Sequence, residues 1–124
     1  MVIHESAEDY LESILMLRER IGTVHSIDIV NELGLSKPSV SVAMKKLREN
    51  GYISMAADGS ITLNESGLEI ASNIYERHKT LTRLFELLGV SSDAARIDAC
   101  KVEHDLCEET FARVQEFVQK QEHK

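Results

Sequence analysis

The stretch Gly34-Leu35-Ser36-Lys37-Pro38-Ser39-Val40-Ser41-Val42-Ala43-Met44-Lys45-Lys46-Leu47-Arg48-Glu49-Asn50-Gly51 decides the fold. Gly34 supplies a tight turn. Ser36 is placed to open a helix, and Pro38 lies in its first turn, where a missing N–H costs nothing. Val40, Ala43, Met44 and Leu47 recur at helical spacing and define the buried side. Asn50-Gly51 ends the helix. Its other side carries small polar residues early and bases later: between residues 36 and 48 the charges are Lys37, Lys45, Lys46 and Arg48 with no acid, 4 − 0 = +4.

Outward from this helix the pattern stays helical on one side and turns β-like on the other. Residues 26–33 read as a helix capped by Ser26 and running through Ile27, Val30 and Leu33. Residues 5–19 read as another, with Ser6 as its cap and Tyr10, Leu11, Ile14 and Leu17 as its stripe; Ile21-Gly22 ends it. After Gly51, residues 52–55 and 60–63 are short β-like runs around Ala57-Asp58-Gly59, a hairpin signature. Helix, helix, turn, helix, hairpin is the order of a winged helix-turn-helix. Such a motif places the start of its second helix in the major groove of DNA. Ser36, Lys37, Pro38, Ser39, Ser41, Lys45 and Lys46 are therefore the candidate contacts, with hydroxyls positioning the backbone and lysines neutralising phosphates. The wing, residues 55–60, carries no Lys or Arg, so few phosphate contacts are expected from it.

From Asn64 onward no strand signal remains. A long helix is expected to residue 88, with Leu68, Ala71, Ile74, Tyr75, Leu81 and Phe85 inward, and Gly89 breaks it. Ser92 then caps a helix to about residue 107, and a last helix spans about 108–120. The class is mainly α with a small β-hairpin wing. Residues 1–63 read as a winged helix-turn-helix DNA-binding domain and 64–124 as a separate helical domain.

Composition narrows the class further. At 124 residues the chain fits one domain or two small ones, and no apolar run approaches the roughly 20 residues of a membrane span. The start, Met1-Val2-Ile3-His4-Glu5, lacks the basic and apolar regions of a signal peptide. Cys100 and Cys107, read on one helix, would stand roughly 10 Å apart, too far for a disulfide. Reduced thiols suit the cytoplasm, with no membrane partner. The net charge of −7 argues against a non-specific polyanion binder while allowing a local basic face.

Cys100, Glu103 and His104 stand at i, i+3 and i+4, so a thiol, a carboxylate and an imidazole share one helix face. Asp9 and Glu12 set two carboxylates at i and i+3 near the start. His78 falls between Ile74 and Leu81 on the apolar side of the long helix. Each alone has a plain reading: a satisfied core histidine, a surface acidic pair, a small buried thiol. Together they have the donor types of a transition-metal site.

The conjunction resembles the diphtheria-toxin-repressor family of metal-activated transcriptional regulators, in its short manganese-transport-regulator branch. The matching stretches are Ser6-Ala7-Glu8-Asp9-Tyr10-Leu11-Glu12, Leu35-Ser36-Lys37-Pro38-Ser39-Val40-Ser41, Leu63-Asn64-Glu65-Ser66-Gly67, Glu76-Arg77-His78 and Cys100-Lys101-Val102-Glu103-His104, which in order cover nearly the whole chain. The resemblance implies metal ligands at Asp9, Glu12, His78, Cys100, Glu103 and His104. It also implies a homodimer on a palindromic operator in double-stranded DNA, repression of metal uptake, and no small organic substrate. Asp9 resembles the manganese branch, where the iron branch has methionine; Cys100 resembles the iron branch, where the manganese branch has glutamate. Mn²⁺ or Fe²⁺ is the expected activator, with Zn²⁺ or Co²⁺ able to bind in vitro, and one or two metals per protomer stay open. The positions of an ancillary site in the iron branch are Thr82 and Arg96 here, so that site is expected to be missing, as is the SH3-like domain of longer members.

Val102, Leu106, Phe111, Val114 and Phe117 are the candidate dimer contacts, or else intramolecular core. Two rivals are a metal-independent winged-helix regulator and a thiol or metal hydrolase using Cys100 and His104. Against the hydrolase, the sequence has no orienting third residue on a loop, no oxyanion motif and no glycine-rich phosphate cradle.

Overall fold

The computed structural model describes residues 5–123. The chain start read above for a signal sequence lies mostly outside them. Six helices and one hairpin run in the order α1 (Glu5–Ile21), α2 (Ser26–Leu33), α3 (Lys37–Glu49), β1 (Ile53–Met55), β2 (Ile61–Leu63), α4 (Glu65–Leu87), α5 (Ser92–Val102) and α6 (Glu108–Glu122). They fall into two compact units, residues 1–73 and 74–124, with α4 contributing to both. No described helix is long and apolar enough to cross a membrane.

In the first unit α1 packs on α2, α3 and β2, and α3 packs on β1. Leu11, Ile14, Val24, Ile29, Val40, Met44 and Ile53 are buried there almost completely. Truncating one such side chain to alanine typically costs about 2–5 kcal/mol. The strands pair antiparallel with Ser54 opposite Thr62, and a further bridge joins Ile61 to Val24, so the wing is tied to the segment before α2.

Local chemistry explains the helix ends, with three differences from the sequence expectation. Ser6 lies inside α1 rather than capping it. His25, not Ser26, holds the N-cap of α2, and the Asp28 carboxylate accepts a hydrogen bond from the His25 N–H at 2.8 Å. Ser91, not Ser92, caps α5 by accepting from the Ala94 N–H. Elsewhere the residues act as expected: Gly34 closes α2 at φ 67°, a left-handed conformation that glycine adopts without a Cβ clash, and the Ser36 hydroxyl accepts from the Ser39 N–H.

The junction after the wing is stitched tightly. The Asn64 side chain donates to the Gly51 carbonyl at 3.0 Å and accepts from the Ser54 hydroxyl at 2.7 Å. The Asn64 N–H donates to the Tyr52 carbonyl. Gly67 then passes so close to Tyr52 that a Cβ there would sit 2.1 Å from the carbonyl oxygen. Only glycine fits.

In the second unit Ile74, Leu81, Ala95, Ala99, Phe111 and Val118 are buried. Here α5 is shorter than expected: it ends at Val102, and a turn precedes α6. Cys107 is not on α5 at all but is the N-cap residue of α6. Both cysteines are free thiols.

Candidate metal centre and DNA-binding face

In the first unit, Asp9 and Glu12 lie on α1; Asp9 is half-buried and Glu12 buried. The candidate DNA contacts Ser36, Lys37, Pro38, Ser39, Ser41, Lys45 and Lys46 are all exposed along α3, while Val40, Met44 and Leu47 face the core. The Ser36 and Ser39 hydroxyls hydrogen-bond each other at 2.8 Å at the start of the helix. Arg48 reaches across to the Met55 sulfur at 3.7 Å, joining α3 to the wing. At the wing tip the Asp58 carboxylate accepts from the Ser60 N–H at 2.9 Å, and hydrogen bonding from Ser60 holds its pKa below the usual range. An ionised Asp58 repels phosphate, which reinforces the expectation of a wing that contributes little.

The second unit brings His78, Cys100 and Glu103 together, with one donor atom from each lying within 4.8 Å of the others. The Glu103 Oε2 is 3.0 Å from His78 Nδ1, and the Cys100 Sγ is 3.6 Å from the same nitrogen. Donors at about 2.0–2.3 Å from one tetrahedral metal stand roughly 3.3–3.8 Å apart, so these spacings are close to a ligand set. His104 Nε2 lies 3.5 Å from the other Glu103 oxygen, Oε1. Glu103 has no solvent exposure, and its Oε1 makes no hydrogen bond among the described residues. A buried carboxylate oxygen whose nearest donor stands at 3.5 Å is under-satisfied, at a cost of up to about 1–3 kcal/mol that a bound ion would remove. The donor set fits a divalent metal.

Electrostatics agree with the geometry. Hydrogen bonds to Cys100 and then Glu103, working against burial, push the His78 imidazole up to about 10. Without a cation the cluster holds a proton where it needs positive charge. Although α5 ends at Val102, Glu103 keeps helical φ and ψ and its N–H still bonds the Ala99 carbonyl, so the i, i+3 relation to Cys100 survives the helix end.

Thr82 is half-buried on α4, and Arg96 is exposed on α5 and paired with Asp93 at 2.6 Å. Of the candidate dimer contacts, Phe111 is buried, Val102, Leu106 and Val114 are half-buried, and Phe117 is exposed. Sequence reasoning missed Arg77. It is buried, and its Nη1 donates to the main-chain carbonyls of Glu103, at 3.1 Å, and Leu106. Its spacing was a usable signal, since Ile74, Arg77 and Leu81 lie on one buried stripe of α4 and a charge there needs internal partners.

Comparison with known proteins matches both halves of the chain. Residues 3–61 fit the iron-dependent repressor N-terminal DNA-binding domain, and residues 64–124 fit the iron-dependent repressor metal-binding and dimerisation domain. An HTH-type transcriptional regulator of Methanocaldococcus jannaschii is 36% identical over 118 residues, covering 94% of each chain. The transcriptional regulator MntR of Escherichia coli O6:H1 is 34% identical over 116 residues, covering 94% of this chain and 75% of the relative. A solved manganese-dependent transcriptional repressor in complex with manganese superposes with a TM-score of 0.82 at 28% identity, over 91% of this chain and 52% of that one. This chain thus spans about half the length of that solved structure.

Proposed function

Because the chain belongs to the iron-dependent repressor family, in the branch of the manganese regulators, we propose that it is a metal-activated DNA-binding repressor of metal-ion homeostasis. In this reading it answers to Mn²⁺ or Fe²⁺ in the cytoplasm and binds a palindromic operator as a homodimer. What carries the reading is the His78–Cys100–Glu103 cluster with His104 beside it, built around a buried carboxylate. Residues 1–63 serve DNA and residues 64–124 serve metal and dimerisation, and the reading assigns no catalysis.

His78, Cys100, Glu103 and His104 would hold the cation, and Asp9 and Glu12 would add carboxylates. Support for those two is the resemblance together with their i, i+3 placement on α1 and the burial of Glu12. A bound divalent cation supplies the positive charge that a group of carboxylates and a thiol otherwise lacks. Without it the His78–Cys100–Glu103 cluster keeps a proton on His78 instead. In this reading the metal-bound dimer presents its two α3 helices at one spacing. A two-fold dimer must match half-sites about 34 Å apart or a multiple of that, so fixing the spacing raises operator affinity by population shift. On DNA, Ser36 and Ser39 at the start of α3 position the backbone, and Lys37, Lys45 and Lys46 neutralise phosphates.

Oxygen donors at Asp9, Glu12 and Glu103 suit Mn²⁺ and Fe²⁺, whereas the Cys100 thiol beside His78 raises affinity for Fe²⁺, Co²⁺ and Zn²⁺. Metal-free protein titrated anaerobically with Mn²⁺, Fe²⁺ and Zn²⁺, read by anisotropy on a labelled palindrome, separates these. Restoration by Mn²⁺ or Fe²⁺ is expected. Restoration by Zn²⁺ alone would sink the proposed activator.

A further inference from the structure

We propose that Arg77 is a positioning residue that holds the ligand-bearing turn after α5 in its binding geometry before any cation arrives; this rests on the metal reading above. The turn from Glu103 to Cys107 carries Glu103 and His104, yet it contains no glycine or proline to fix its course. Its backbone is fixed from outside. The Arg77 guanidinium donates through Nη1 to the Glu103 carbonyl at 3.1 Å and to the Leu106 carbonyl, two acceptors that the ends of α5 and of the turn leave without helical partners. Its carbon lies 5.1 Å from the centre of the Phe111 ring, so the first turn of α6 closes over the same group. Arg77 is only 7% exposed, and its Nε makes no hydrogen bond among the described residues. A buried guanidinium committed in this way is expensive unless its placement serves something.

The consequence falls on Glu103. Its N–H is held by the Ala99 carbonyl and its own carbonyl by Arg77, so both sides of its backbone are pinned while the carboxylate meets His78. His78 is the next residue after Arg77 on α4. One short stretch of α4 therefore grips the turn twice, by its main chain through Arg77 and by its side chain through His78. Lysine replaces arginine poorly here, because a compact, strongly hydrated ammonium lacks the flat face that lies over the Phe111 ring while Nη1 reaches the two carbonyls.

The test compares wild type, Arg77→Lys and Arg77→Met as full-length protein, each titrated with Co²⁺ under anaerobic conditions. Wild type should show a thiolate-to-cobalt band from Cys100 and a defined set of ligand-field bands. Arg77→Lys should keep its far-UV circular dichroism, bind Co²⁺ about 10–100-fold more weakly, and show altered ligand-field bands, as loss of an outer-shell partner does at metal sites. Wild-type affinity and an unchanged cobalt spectrum in Arg77→Lys would overturn the proposal while leaving the metal reading intact. No cobalt binding by wild type would overturn both. Should the variants not fold, hydrogen exchange on metal-free wild type decides. Protection of the Glu103 and Asp105 amides comparable to that of α4 supports the pinned turn, and exchange at open-loop rates until metal is added refutes it.

Discussion

Glu103→Gln keeps the shape of the side chain and removes its charge, so it isolates what the carboxylate does. Glu103 has no exposure, with Oε2 3.0 Å from His78 Nδ1 and Oε1 3.5 Å from His104 Nε2. In metal-free protein the change weakens one charge-assisted hydrogen bond, about 1.5–3 kcal/mol, but also removes the cost of burying an anion. The two effects oppose, so the metal-free Tm should move by only a few degrees. Metal binding has no such compensation. Losing an outer-shell partner of a ligand costs about 10–100-fold in affinity, and losing an anionic ligand itself should cost at least about 100-fold. With metal at about 100 times the wild-type Kd, wild type gains about 2.7 kcal/mol, or about 8–13 °C for a chain of this size. At the same concentration the variant should gain only about 0.4 kcal/mol, or about 1–2 °C. Differential scanning calorimetry of metal-free protein with and without Mn²⁺, oxygen excluded, reads both numbers. A variant that keeps the wild-type metal-induced shift would refute Glu103 as a ligand.

Three further outcomes are expected. Because His78 is raised to about 10 in the metal-free cluster, its stabilising contribution is complete below its unfolded pKa of about 6.5 and is lost as pH rises through about 10. Metal must displace that proton, so affinity should rise about tenfold per pH unit between pH 7 and 9, measured by competition with a chelating dye; a flat profile would contradict the shared proton. Gly67→Ala should lower Tm by about 3–15 °C, since a Cβ 2.1 Å from the Tyr52 carbonyl forces backbone apart at a cost of about 1–3 kcal/mol, and calorimetry checks it. Lys45→Ala with Lys46→Ala should flatten the plot of log K against log salt by roughly 0.9 for each phosphate no longer neutralised, while an unchanged slope places DNA elsewhere.

The α3 helix was legible in the sequence because its signals are local. Ser36 caps it, Pro38 sits in its first turn, and Asn50-Gly51 closes it, so its boundaries came out within a residue. The end of α5 was not legible for the opposite reason. The carbonyl of its C-cap residue Glu103 and that of Leu106 in the following turn are satisfied by Arg77, more than twenty positions away, and no breaker residue marks the helix end. That also explains why Cys107 read as part of α5 when it opens α6. The cap of α2 was misplaced by one residue because Asp28 satisfies the His25 N–H from inside the helix, leaving Ser26 no capping role. At the site, helical spacing was enough to associate Cys100 with Glu103, and the buried stripe was enough to bring in His78. Spacing gave no hint that the turn itself is held in place.

The most direct measurement of the central claim is operator affinity in the presence of saturating Mn²⁺ or Fe²⁺, then after excess chelator, then after metal is restored, for wild type and Glu103→Gln. Wild type should lose affinity on chelation and regain it on restoration, and the variant should behave throughout like chelated wild type. Equal operator affinity with and without chelator would contradict the account, because DNA binding would then owe nothing to the cluster built around Glu103.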